Sequence, residues 1–130
     1  MDVLVPIDGS ENSFRALEFA VRFADGFDAT LHVVHFSDEA TEATDEILAH
    51  ARAMLEEGGV ETEPELATDI QLEFRPAERV GENVLELVEE NGYDHVIMGH
   101  HGSGTIERAI LGSAAETIVR AEKVPVTIVP

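Results

Sequence analysis

Apolar positions along the chain switch repeatedly between two periods. Asp2–Ile7 (DVLVPI) is a short, nearly continuous apolar run and predicts a buried strand. Asp8-Gly9-Ser10 breaks it. Ser10 suits a helix N-cap, and Phe14, Leu17, Val21 and Ala24 follow at helical spacing, with Gly26 as the expected stop. Ala29–Phe36 (ATLHVVHF) is rich in β-branched residues and predicts a second strand. From Thr44 to about Glu57 the spacing is helical again, with Ile47, Leu48, Ala51 and Leu55 on one face and Gly58-Gly59 ending the run. Val60–Asp69 is acidic, contains Pro64 and predicts a loop, followed by a strand near Ile70–Phe74. Pro76 suits the first turn of a third helix carrying Val80, Val84, Leu87 and Val88, which ends near Asn91-Gly92. Asp94–Met98 predicts a fourth strand, Ser113–Glu122 a fourth helix and Val124–Val129 a last strand.

Strands alternating with helices in this way predict an α/β fold: one parallel sheet, doubly wound, with helices on both faces. Right-handed crossovers restrict the topology further. The 130 residues suffice for one domain spanning 1–130, and no internal repeat or low-complexity tract interrupts it.

Composition narrows the function. There is no cysteine, which excludes disulfides and thiolate metal sites. No apolar run approaches ~20 residues, so no membrane span is expected. MDVLVPIDGS lacks the basic start and long apolar stretch of a signal peptide, so a cytoplasmic protein is expected. Eight basic residues face 27 acidic ones, for a net charge of −19. Such a surface repels phosphate backbones and argues against general nucleic-acid binding. Concentrated salt would screen the self-repulsion of these carboxylates, so the charge points to a halophilic protein.

In a doubly wound sheet, ligands bind beyond the carboxyl ends of the strands, at the switch point of the strand order. Two segments leaving those ends are rich in small residues: Asp8–Ser10 and Gly99–Ser113. The second, GHHGSGTIERAILGS, ends where a helix begins. The first N–H groups of a helix have no partner within it and carry the positive end of its dipole. Glycines at 99, 102 and 112 would let an anion approach the backbone. The hydroxyl of Ser113 could hydrogen-bond a phosphate or ligate a divalent ion. The structural alternative is equally concrete, because Ser113-Ala-Ala-Glu116 has the form of a capping box and Ser113 would then only start its helix. Asp8 likewise has two readings, a hydrogen bond to a ribose or a metal, or a turn residue before Gly9. There is no Gly-Lys-Ser/Thr phosphate loop and no third glycine for a dinucleotide fingerprint.

The six histidines do not form a metal site on this reading. His32 and His35 point to opposite faces of one strand. His50 lies among acids on a helix and is expected to be solvated, and His95 starts a strand. His100-His101 is the one adjacent pair, better placed to hydrogen-bond a phosphate than to share a metal. No nucleophile–base–orienter set is present, and the carboxylates are read as a solvated surface.

Gly99-x2-Gly102-x9-Gly112-Ser113 matches, at every fixed position, the G-x2-G-x9-G-(S/T) signature of the ATP-binding universal stress proteins, and the chain resembles that family. LVPIDGSENSFRALEFA, LHVVH, RPAERV and VPVTIV are similar to its first strand and helix, second strand, third-helix turn and last strand. The likeness covers essentially the whole chain. It implies a five-stranded parallel sheet in the order 3-2-1-4-5, of the adenine-nucleotide α-hydrolase-like type. It implies an ATP-binding regulatory module of the stress response rather than a fast enzyme, with any hydrolysis slow. Asp8 would contact the ribose or nearby polar groups, Val33 the adenine through its backbone, and Gly99 would lie near the ribose. Gly102, Gly112, Ser113 and Ala114 would hold the phosphates, with Mg²⁺ or Mn²⁺ bridging them, where the Ser113 hydroxyl is the available protein ligand. It also implies a homodimer through the last strand, and Val126–Val129 carries no protective edge charge.

Two departures stand out. Phe74 replaces a frequent glycine near the site rim, and the acidic loop Val60–Asp69 is longer than usual. They keep open a dimerising module of the same family that binds no nucleotide. An enzyme of the adenine-nucleotide α-hydrolase type is a further alternative, although IDGSENS lacks the paired glycines of its S-G-G-x-D-S loop.

Overall fold

The computed structural model describes residues 1–37, 39–68, 76–100 and 111–130, with the backbone alone for 76–79. In chain order the elements are β1 (Asp2–Ile7), α1 (Glu11–Phe27), β2 (Thr30–Phe36), α2 (Glu42–Glu57), β3 (Glu65–Ala67), α3 (Pro76–Asn91), β4 (His95–Gly99), α4 (Ser113–Ala121) and β5 (Val126–Val129). All strand pairs are parallel, in the order β3-β2-β1-β4-β5. The chain moves outward from β1 to β3 and then returns to β4 on the other side of β1. The switch point therefore lies between β1 and β4.

The period of two along each strand divides the core between the two faces of the sheet. Val3, Val5, Ile7, Leu31, Val33 and Ile97 face α1 and α2 and pack with Leu17, Ala20 and Leu55. Leu4, Val34, Phe36, Val96 and Met98 face α3 and α4 and pack with Val84, Val88, Ala115 and Ile118. Burying a Val- or Leu-sized side chain is worth about 1.5–3 kcal/mol, and Val3, Leu4 and Val5 are fully buried in β1. His32 and His35 lie on opposite faces, as their spacing requires.

Several boundaries differ from expectation for identifiable reasons. The segment read as an acidic loop contains β3, which pairs through Val34↔Glu65, His35↔Leu66 and Phe36↔Ala67. Three residues at a sheet edge, with Glu65 exposed, are too short and too polar to show a strand period. The strand expected near Ile70–Phe74 lies outside the described residues. Helix α1 does not stop at Gly26. It continues to Phe27 and closes on Asp28, left-handed at φ 51°, whose N–H donates to the Ala24 carbonyl. Helix α2 starts at Glu42 rather than Thr44. Thr41 is its N-cap, accepting the Thr44 N–H at 3.3 Å while Thr44 Oγ1 accepts the Thr41 N–H at 2.8 Å.

Candidate functional site

The mouth of the switch point is built from the segments that leave β1 and β4. The β1–β2 ladder runs the full length of β1, to Ile7↔His35, whereas the β1–β4 ladder covers only Val3↔His95 and Leu4↔Val96. Pro6 has no N–H to give to a ladder. Beyond Leu4 the two strands are thus joined on one side less tightly than on the other, and α1 and α4 begin at that end.

The β1–α1 turn is a tight polar knot. Asp8 Oδ1 accepts the Ser10 N–H at 2.9 Å across Gly9. Ser10 Oγ accepts the Ser13 N–H at 3.0 Å and caps α1, as the sequence predicts. Ser13 Oγ donates to the Ser10 carbonyl at 2.9 Å and accepts the Asp8 N–H at 3.3 Å. Gly9 is left-handed at φ +86°, and a Cβ there would meet Ile47 Cδ1 at 2.7 Å. Asp8 therefore has the turn role of its structural reading, with its half-buried carboxylate held at the mouth by that same turn.

The other wall begins at Gly99, the last residue of β4 and buried. A Cβ on Gly99 would overlap the side-chain oxygen of Asn12 and meet its Cγ at 2.7 Å. Gly99 is thus needed for close packing of β4 against the first turn of α1. Beyond it, the His100 N–H donates to the Val129 carbonyl at 2.9 Å, and the His100 carbonyl accepts the Gly112 N–H at 2.6 Å. Residues 101–110, which include Gly102, lie outside the described residues.

At the start of α4 the expected capping box is absent. Gly112 is the N-cap, at φ −68° and ψ 160°, with no side-chain cap hydrogen bond, and Ser113 is the first helical residue. A side chain at the first helical position sits past the point from which it could cap. The Ser113 side chain is exposed, and its carbonyl accepts from Thr117 Oγ1 at 2.8 Å. Ala114 is half-buried on the second cluster and Ala115 is fully buried. The N–H groups of Ser113, Ala114 and Ala115 precede the first intrahelical donor, the Glu116 N–H, which reaches the Gly112 carbonyl at 2.9 Å.

Asp8, Gly99, Gly112, Ser113 and Ala114 therefore border one mouth. Val33 lies within β2, in register with Val5 and 1% exposed, and β2 continues to His35 and Phe36. Three buried polar residues at the mouth escape a reading of the site from sequence. Asn12 donates through Nδ2 to the Val129 carbonyl at 2.9 Å, Ser13 sits in the knot above, and His35 donates through Nδ1 to the Ile7 carbonyl at 2.8 Å. The available signal is position. Asn12 and Ser13 lie one helical turn before the buried Ala16 and Leu17, so they share the buried face of α1.

Among the described residues no group of three or more His, Asp or Glu side chains could hold a metal ion. Two titratable groups with displaced pKa values lie at the opposite, amino end of the strands. Burial lowers His95, which is hydrogen-bonded to Thr127 Oγ1 at 2.7 Å and stacked on Phe23. Burial raises Tyr93, assisted by the carboxylates of Glu65 and Asp2. Neither belongs to the mouth.

The model of the universal stress protein family matches residues 1–130. The chain belongs to the universal stress protein family. A universal stress protein of Methanocaldococcus jannaschii is 28% identical over 145 residues, covering 98% of this chain and 80% of that protein. One of Bacillus subtilis is 26% identical over 152 residues, covering 98% and 97%. Among solved structures, a universal stress protein in complex with cAMP matches with a TM-score of 0.74 at 26% identity over 99% of this chain and 95% of its own. A universal stress protein from Archaeoglobus fulgidus in complex with dAMP matches in fold, with a TM-score of 0.73 at 20% identity over 100% and 98%. The five-stranded order and the two helical layers of this chain are those of the family fold. No helix among the described residues is long and apolar enough to cross a membrane.

Proposed function

We propose that this universal stress protein binds ATP at the mouth between β1 and β4 and acts as a nucleotide-dependent regulatory module of the stress response. The observation that carries this reading is the start of α4. The residue at the end of the glycine signature, Ser113, is exposed and α4 carries no side-chain cap, so its first turn offers backbone N–H groups without an intrahelical acceptor beside the end of β4. In a chain of net charge −19, such a locus of backbone N–H groups is where a polyphosphate finds favourable potential. Family relatives support the ligand class, since one has been solved with cAMP and another with dAMP. Asp8, Gly99, Gly102, Gly112, Ser113 and Ala114 are the proposed contacts. At the adenine end the proposed contact is the backbone of Val33, in β2. The phosphates would bring Mg²⁺ or Mn²⁺ with them, and any hydrolysis would be slow, so binding itself is the signal.

The test is calorimetry with Mg-ATP in high salt on the wild type, Gly112→Val and Ser113→Ala, with AMP and cAMP as parallel ligands. Loss of affinity in the folded variants is expected. Equal affinity in all three proteins would remove the phosphate site from α4. Absence of heat with every nucleotide would favour the dimerising module without a ligand, and pyrophosphate release from ATP would favour the α-hydrolase-type enzyme.

A further inference from the structure

The carbonyl of Val129 is shared by two donors from different parts of the chain. Asn12 Nδ2 reaches it from the first turn of α1 at 2.9 Å, and the His100 N–H reaches it from the residue after β4, also at 2.9 Å. Two donors at this distance use both lone pairs of one carbonyl oxygen. Asn12 is 1% exposed, and its amide oxygen lies directly against Gly99, where it leaves no space for a Cβ. The side chain is therefore clamped on both sides, by β5 through its nitrogen and by β4 through its oxygen.

We propose that Asn12 is a positioning residue, which sets where His100 stands relative to the β1–α1 turn. Removing its N–H leaves the Val129 carbonyl with one donor, so the α1–β5 contact loosens where His100 is anchored. Because the His100 carbonyl in turn holds the Gly112 N–H, a shift of His100 is passed to the N-cap of α4. Arg15, one turn further along α1, donates through Nε to the Pro130 carbonyl at 3.1 Å but is exposed and does not touch the mouth. In its consequence for ligand affinity the proposal rests on the nucleotide reading above. In its structural content it does not.

The experiment combines native-state hydrogen exchange with Mg-ATP calorimetry on the full chain in high salt, for the wild type, Asn12→Asp, Asn12→Ala and the control Arg15→Ala. The isosteric Asn12→Asp removes the donor and sets a carboxylate oxygen against the Val129 carbonyl. The His100 amide is expected to exchange about tenfold faster in both Asn12 variants, while the Val5 and Ile97 amides change only with global stability. Mg-ATP affinity should fall about tenfold, with Arg15→Ala like the wild type. Unchanged His100 exchange in the Asn12 variants would overturn the proposal. So would a uniform acceleration of all amides, which is the mark of a purely structural role. A wild type that binds no nucleotide would overturn the nucleotide reading alone, since exchange at His100 is read without ligand.

Discussion

The carbonyl oxygen of His100 accepts the backbone N–H of Gly112 at 2.6 Å and so joins the two ends of the segment between β4 and α4. This bond commits the N–H of the glycine that closes the family signature. An anion bound as proposed at the start of α4 would meet Gly112 at its Cα rather than its N–H, and would take its hydrogen bonds from the N–H groups of Ser113 and Ala114 and from the Ser113 hydroxyl. The glycine at 112 is not imposed by its backbone angles either, because φ −68° is open to any residue.

The position of Ser113 yields the first prediction. Its hydroxyl caps nothing, so Ser113→Ala should leave unfolding free energy within about 0.5 kcal/mol of the wild type. The same substitution should weaken Mg-ATP binding several-fold by removing one hydrogen bond to the phosphates or their ion. A urea titration read beside calorimetry separates the two effects. A stability loss near that of a true N-cap, about 1 kcal/mol, would show that the hydroxyl serves the helix instead.

Two glycines should respond in opposite directions to alanine. At Gly99 the new Cβ would collide with Asn12, which is pinned by its bond to Val129 and cannot swing aside. Gly99→Ala should destabilise by about 1–3 kcal/mol, as overpacking of a close contact does. At Gly26, inside α1, a Cβ would meet nothing within 4 Å. Gly26→Ala should stabilise by about 0.4–1 kcal/mol, since alanine fits the helix and loses less backbone freedom on folding. Denaturant midpoints of the two variants decide both signs.

His95 should make stability fall in acid. Burial lowers its pKa, so the folded protein holds it neutral where the unfolded chain, near pH 6.5, takes up a proton. The unfolded state then binds more protons, and linkage makes stability rise with pH through this window. The contribution is fully present above about pH 6.5 and is lost as pH falls below it toward the lowered folded value. His95→Gln keeps a hydrogen-bonding partner for Thr127 and removes the titration. Unfolding free energy measured between about pH 7.5 and 5 should decline more steeply in the wild type than in the variant. Parallel profiles would show that His95 titrates alike in both states.

The last strand offers an edge suited to a second copy of the chain. Each residue of β5 is half-buried, none is charged, and β4 occupies only one of its sides. Unpaired edges of this kind are usually guarded by charge. Sedimentation in high salt should therefore report a dimer, and Thr127→Lys, which places a charge in the strand, should shift it toward monomer. A monomeric wild type would show that β5 is left uncovered.

The legibility of this fold depends on which residues carry a period. Val3, Val5, Leu31, Val33 and Val96 lie in strands whose apolar runs are unmistakable, and Leu17, Ala24, Val84 and Val88 fall on helical faces that are buried. The sheet and its two helical layers result from these. β3 escapes because Glu65–Ala67 is three residues long and lies at an edge, where one polar face is enough to hide the pattern. Asn12 and Ser13 escape because hydropathy ranks them as surface residues, and only their place on the buried face of α1 reveals them. Ser113 reads as a cap from sequence because a capping box is defined by side-chain type at a spacing of three, while the chain reaches helical angles only after Gly112.

The charge should make stability depend on salt in a specific way. With 27 acidic and eight basic residues, most carboxylates have no cation to pair with. Ion pairs among the described residues, such as Arg52–Glu63 at 2.9 Å and Arg120–Glu116 at 2.8 Å, are exposed, and exposed pairs contribute little. Repulsion among the remaining carboxylates therefore works against the compact state. Its range is set by a screening length of about 10 Å at 0.1 M salt and about 3 Å at 1 M. Glu46, Glu56 and Glu57 project from the exposed side of α2. The thermal midpoint should climb by several degrees between about 0.1 and 1 M KCl, and the climb should be shallower in a variant with these three changed to glutamine. A slope that the triple variant leaves untouched would assign the salt effect to general strengthening of apolar burial. A flat profile in the wild type would show that the acidic surface is no adaptation to salt.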